Sequence, residues 1–162
     1  MVVTTRRFAG FVLAASVLVL GTALLSQYVG GLFPCELCLL QRWPWWMAIA
    51  LSGIAWLFGA RLGRSGVAWA LVLVFAIGAG LAFYHVGVEQ HWFAGPTACT
   101  AATNNATSVE ELRRQLLATQ PVLCDRVQWS LFGISLAGFN LIASLALLAL
   151  CLVAATRARS AA

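Results

Sequence analysis

Four long apolar stretches dominate the chain, and its polar residues gather between them. The first runs from Phe8 to Tyr28, broken only by small or weakly polar residues, and the second, from Trp43 to Phe58, is shorter. The third runs from Val67 to Val88 and the fourth from Leu131 to Ala155. A helix that crosses a bilayer needs roughly 20 apolar residues. Stretches one, three and four meet that length alone. The second meets it by running backward through Leu40 and Leu39, with Arg42 snorkelling to the interface. Hydrocarbon holds no water to satisfy backbone groups, so each stretch is expected to be a helix. The pattern predicts an all-α fold: one integral membrane four-helix bundle over residues 1–162. Its helices are expected at about 8–28, 40–58, 67–88 and 131–155, with loops at about 29–41 and 89–130 on one side.

Composition sharpens this picture. Of 162 residues, 62% are hydrophobic and only 9% are charged, where a soluble domain carries about 25% charged residues. The net charge of +5 comes from ten basic residues, all of them arginine. They lie singly or in pairs between apolar stretches, without a basic patch interleaved with aromatics, which argues against nucleic acid. Arg6 and Arg7 could introduce a signal peptide. The first apolar stretch is too long for one, however, and Ser26-Gln27-Tyr28 is a poor cleavage site, so it reads as a retained helix.

With four spans, Arg6, Arg7, Arg61, Arg64, Arg157 and Arg159 share one side, which has no acid. Arg42, Arg113, Arg114 and Arg126 share the other with all five acids. The excess of arginine predicts that both termini are cytoplasmic. Trp43, Trp45, Trp46, Trp92 and Trp129 gather at the opposite face as an aromatic belt. In the long loop there, Ser108 and Glu111 form a capping box. Leu112, Leu116 and Leu117 follow as one apolar stripe, and Pro121 closes the segment. A short amphipathic helix lying on the membrane surface is expected there.

The cysteines carry the chemistry. Of five, Cys35 and Cys38 form a Cys-x-x-Cys in the short outer loop, and Cys99 and Cys124 lie far apart in the long one. Cys151, inside the fourth stretch, reads as a small hydrophobe with no role. Four cysteines therefore fall on the non-cytoplasmic side, where disulfides persist. Three readings stand on motif alone. Passive disulfides are one, although a Cys-x-x-Cys bridge closes too small a loop to stabilise much. A four-cysteine metal site is another, although zinc more often takes two close pairs. The third is thiol–disulfide exchange. Haem attachment is excluded, because Leu39 stands where that motif needs His. Pro34 precedes Cys35, and Arg42 follows Cys38 at the spacing of one helix turn. A helix start and a nearby guanidinium both favour the reactive thiolate.

This pattern resembles the DsbB family, the inner-membrane oxidases that reoxidise the periplasmic dithiol carrier DsbA with a quinone. The resemblance rests on Pro34-Cys35-Glu36-Leu37-Cys38-Leu39-Leu40-Gln41-Arg42, on four spans, and on a widely spaced cysteine pair in the second outer loop. It implies a thiol:quinone oxidoreductase with catalytic Cys35, Cys38, Cys99 and Cys124. Cys99 would form the mixed disulfide with a DsbA-like thioredoxin-fold partner, and Cys124 would pass reducing equivalents to Cys35. Cys38 would face the quinone, ubiquinone or menaquinone, as a thiolate complex or adduct. Arg42 would sit beside the quinone. The family also has a histidine near the outer end of its third helix. His85, still within the apolar stretch, fits that place better than His91, and intramembrane ionisable groups default to function. Gln41 stands where the family often has an acid, which removes a carboxylate from that position. The alternative from a different class is a membrane module that binds a metal through the four outer cysteines.

Overall fold

The opening apolar stretch forms one uninterrupted helix. The computed structural model describes residues 4–59, 62–96, 108–110, 113 and 122–159. Helix α1 covers Thr5–Tyr28. Thr4 stands before it in extended conformation and accepts the Arg7 N–H through its hydroxyl, which satisfies one of the donors a helix start leaves open. Within the span, Thr22 and Ser26 donate back to the carbonyls of Val19 and Ala23, so their hydroxyls are satisfied inside the helix.

The second span differs from the expectation. It is broken into α2, Glu36–Leu40, and α3, Arg42–Phe58, with Gln41 between them. Pro44 explains the break. In a continuous helix it would offer no N–H to the Leu40 carbonyl, and its ring would collide with that carbonyl. Placed instead in the first turn of α3, Pro44 costs no hydrogen bond. Cys38 and Arg42 therefore sit on two short-coupled helices rather than on one face of a single helix.

Helix α4 covers Arg64–Glu89, longer at both ends than the apolar stretch. The fourth stretch also departs from expectation, because its first five residues are not helical. Strands β1, Ser130–Leu131, and β2, Ile134–Ser135, pair antiparallel, with Ser130 opposite Ser135 and Leu131 opposite Ile134. Phe132 and Gly133 between them have φ of 53° and 77°, the pair of left-handed residues that a tight type I′ hairpin turn requires. Helix α5, Leu136–Arg159, follows directly. Ser135 accepts the Gly138 N–H at 3.1 Å and donates to the Glu89 carboxylate at 2.5 Å, which ties the start of α5 to the end of α4.

Among the described residues, α1, α4 and α5 are long and apolar enough to cross a membrane. Helix α3 has 17 residues and rises about 25 Å, somewhat less than a hydrocarbon core of roughly 30 Å. Helix α4 packs along α5, α1 along α3, and α3 against α4. Small residues make the contacts: Ala48, Ser52 and Ala55 on α3, and Ala68, Gly78, Ala79 and Ala82 on α4 are buried. A Cβ at Gly78 would lie 3.2 Å from Pro44 Cβ, so glycine there lets α3 and α4 approach closely. Many of the large side chains point the other way. Phe11, Leu18, Leu25, Leu57, Leu73 and Ile77 are exposed, an arrangement that suits lipid and not water. Four helices with apolar exteriors make this an all-α membrane bundle. The expected surface helix lies mostly outside the described residues, of which Val109, Glu110 and Arg113 are helical.

Candidate functional site

The two cysteines of the short loop are placed by the start of α2. Cys35 is its N-cap, extended at φ −72° and ψ 171°, and its sulfur accepts the Cys38 N–H at 3.3 Å. One helical turn then brings Cys38 Sγ to 3.2 Å from Cys35 Sγ. Three-residue spacing at a helix start thus holds two sulfurs close enough for a disulfide to close with a small movement, since the bond itself needs about 2.05 Å. Cys35 is buried and Cys38 half-buried. The hydrogen bond from Cys35 holds the Cys38 thiol below its ordinary value. That same bond, followed by burial, pushes Cys35 up to about 12. One thiol of the pair is therefore poised as a thiolate and the other as its donor.

Arg42 does not lower Cys38 in the way its spacing suggests. Its Nη1 donates to Gln27 Oε1 at 2.6 Å and its Nη2 to the Ala23 carbonyl at 3.5 Å, so the guanidinium is anchored on α1. It lines the same cavity as Cys38.

Of the two histidines, His85 joins the site. It is 2% exposed, with Nε2 at 3.6 Å from Cys35 Sγ and Nδ1 at 2.5 Å from Gln41 Nε2. His91 is exposed in the turn that ends α4, with φ of 60°. Cys124 is 1% exposed and packs in one cluster with Cys35, Leu37 and Val88, against which Cys38 also rests. The wide spacing of Cys124 in sequence therefore gives way to proximity in space. Cys99 lies outside the described residues. Cys151 is fully buried among Phe8, Val12, Leu71, Phe75 and Leu147 in the bundle core, and that core does not include Cys35 or Cys38.

Three residues that sequence reasoning assigned no part in the site complete it. Gln41, in the break between α2 and α3, is 5% exposed and accepts from Asn140 Nδ2 through its Oε1. Asn140, on α5, accepts the Trp45 indole N–H at 2.8 Å. Trp45, read as part of an interfacial belt, is 3% exposed and packs edge-on against Phe75. The signal for Asn140 was present in the sequence. A lone amide in an apolar stretch is expected to bond across helices.

These groups surround a cavity of about 500 Å³. Val19 and Ala23 of α1, Phe33, Trp129, and Phe139 and Ala143 of α5 give it apolar walls. Cys38, Arg42, His85, Glu89 and Arg126 supply a few polar groups at its border. A largely apolar chamber with a small number of convergent polar groups is suited to a flat, apolar organic ligand with polar edges. The thiols of Cys35 and Cys38 and the His85 ring also bring one donor atom each within 4.8 Å of one another.

Comparison with known proteins agrees with this architecture. The family described as disulfide bond formation protein DsbB matches residues 5–154. A disulfide bond formation protein B from Verminephrobacter eiseniae is 32% identical over 163 residues, covering 93% of this chain and 87% of the relative. The protein of the same name from Marinobacter nauticus is 32% identical over 146 residues, covering 85% and 83%. That from Methylobacillus flagellatus is 30% identical over 143 residues, covering 84% and 82%. No solved structure gives a significant match. A match across nearly all of the bundle, including the loop that carries Cys35 and Cys38, establishes that this membrane protein belongs to the DsbB family of disulfide bond formation proteins.

Proposed function

We propose that the protein is a thiol:quinone oxidoreductase of the bacterial inner membrane, with Cys35, Cys38, Cys99 and Cys124 on the periplasmic face. It reoxidises a DsbA-like thioredoxin-fold dithiol carrier and passes the electrons to a membrane quinone. The observation that carries this reading is the meeting of a thiolate-poised Cys38 with a largely apolar cavity that opens among the spans. The arginine asymmetry supports the orientation, and the size and lining of the cavity suit a quinone ring.

A bound quinone supplies a two-electron, two-proton acceptor that an ordinary disulfide cannot replace, because the carrier is itself a strong oxidant. The residues of this chain do the rest. Cys38, held low by Cys35, presents a thiolate to the cavity. Closing the Cys35–Cys38 disulfide from the Cys38 thiolate and the Cys35 thiol releases two electrons toward the cavity and the one proton that Cys35 holds. Arg42, fixed to Gln27, presents a positive charge where negative charge accumulates on the ligand. Cys124, buried in the same cluster as Cys35, is the thiol proposed to reduce that disulfide again by thiolate attack. Cys99, in the same outer loop, is the residue proposed to meet the carrier.

The test is turnover by the purified protein, read as loss of quinone absorbance with reduced carrier. Cys38→Ser is expected to abolish it, and turnover at the wild-type rate would contradict the proposal. The alternative metal module predicts instead a stoichiometric bound ion that the cysteine variants lose. Elemental analysis of the purified protein decides between them.

A further inference from the structure

The hydrogen bonds around His85 have a direction, and that direction is set at a distance. An indole N–H can only donate, so Trp45 requires the oxygen of Asn140, which it meets at 2.8 Å. This turns Asn140 Nδ2 toward Gln41, whose Oε1 accepts from it. Gln41 must then offer its own Nε2 to His85, and this atom lies 2.5 Å from Nδ1. An amide NH₂ only donates, so Nδ1 must accept. A neutral imidazole that accepts at Nδ1 carries its proton on Nε2, the nitrogen that lies 3.6 Å from Cys35 Sγ.

We propose that Trp45, Asn140 and Gln41 are positioning residues, a one-way hydrogen-bond chain across three helices that locks His85 in the tautomer whose Nε2–H points at Cys35. Trp45, Gln41 and His85 are each 5% exposed or less and Asn140 is half-buried, so the Gln41–His85 link that sets the tautomer is shielded from water. Reversing any one link would set donor against donor or acceptor against acceptor at the next. The chain has one consistent direction because its far end is a group that cannot accept.

The consequence rests on the redox reading of Cys35. When a thiolate attacks the outer sulfur of a mixed disulfide on Cys35, a new S–S bond forms. The bond to Cys35 breaks, and its electron pair stays on Cys35 Sγ. An N–H aimed at that sulfur stabilises the departing thiolate, whereas an imidazole lone pair in the same place repels it. The relay thus makes Cys35 a good leaving group without any charged residue beside it from α5.

Two readouts test this, and neither needs quinone or carrier. The first is the ¹⁵N spectrum of ring-labelled histidine in the detergent-solubilised protein. A His91→Asn background removes the second histidine, at a position of φ 60° that asparagine tolerates. The expected wild-type result is His85 protonated at Nε2. Gln41→Glu, which can only accept, should place a proton on Nδ1. Asn140→Asp, which does not touch His85, should do the same by turning the Gln41 amide around. Protonation at Nδ1 in the wild type, or an unchanged tautomer in both acid variants, would overturn the proposal. The second readout is release of Cys35 from a glutathione mixed disulfide by dithiothreitol, followed by mass spectrometry in a Cys38→Ser background. Asn140→Asp should slow it by about tenfold, the effect of losing one charge-assisted hydrogen bond at the leaving sulfur. An unchanged rate with a switched tautomer would overturn the role given to the Nε2–H.

Discussion

Cys35 and Cys151 are both buried in the same bundle, at 4% and 0% exposure, yet their surroundings have little in common. Cys151 sits in the apolar core cluster with Phe8, Val12, Leu71, Phe75 and Leu147. Cys35 sits at a helix start against a second thiol, a backbone N–H and an imidazole. Burial is common to the two regions and therefore is not what makes a thiol reactive. What differs is the supply of groups that can share a proton or hold a charge. The core region spends its residues on close packing of small and branched side chains. The cysteine end gives up that packing at Gln41 and leaves a cavity, with polar groups bonded across helices around it.

The sharpest way to break this comparison is to remove each thiol in turn. Cys35→Ala is expected to abolish turnover with reduced carrier and quinone. Cys151→Ala should leave turnover unchanged while lowering unfolding stability by about 1 kcal/mol through a small cavity, as read by thermal unfolding in detergent. Activity lost at position 151 would mean that the core thiol takes part after all.

A smaller effect is expected at Arg42. Arg42→Met keeps the aliphatic stem but removes the donors, and it should raise the quinone KM by roughly tenfold to a hundredfold while the labelling of Cys38 is preserved. The difference between the two thiols of the pair should itself be visible in pH dependence. A thiol held low is thiolate below the ordinary value of 9.0, and one pushed up to about 12 stays protonated well above it. In the reduced protein at about pH 8, iodoacetamide should therefore modify Cys38 at least tenfold faster than Cys35. As pH rises toward 12 the advantage should fade, because Cys35 then ionises as well. Equal rates at both pH values would remove the asymmetry. The smallest effect belongs to the seam between α4 and α5. Ser135→Ala removes a helix cap and a partner of Glu89 and should cost about 1 kcal/mol of stability, with turnover little changed.

Much of this was legible in the residues. Apolar length located the spans, because hydrocarbon imposes a minimum that few other settings do. Cys-x-x-Cys with Arg42 beyond it pointed to the candidate site, and the apolar setting of His85 pointed to the histidine that lies 3.6 Å from Cys35. The break before α3 was legible too, in Pro44, but apolar length outweighed it. The hairpin before α5 was harder to see. Gly133 invites a turn, yet Phe132 at positive φ is not a choice that residue type announces. Although Asn140 stood out as a lone amide in an apolar stretch, the relay from Trp45 to His85 was not legible as a chain. It joins α3, the Gln41 break, α4 and α5, and such contacts follow from how helices pack rather than from spacing along any one of them. Arg42 teaches the same lesson in reverse. Its spacing from Cys38 suggested a direct contact, and the fold gives it to Gln27 instead.

The most direct measurement of the central claim needs no carrier. The protein is reduced, freed of reductant and oxygen, and mixed with a soluble quinone. Its cysteines are then alkylated under denaturing conditions and mapped by mass spectrometry. Cys35 and Cys38 should become protected together as one disulfide, with one quinol formed per chain, while Cys151 remains fully alkylated. A pair that stays alkylatable in the presence of quinone would contradict the assignment of Cys35 and Cys38 as the quinone-linked site.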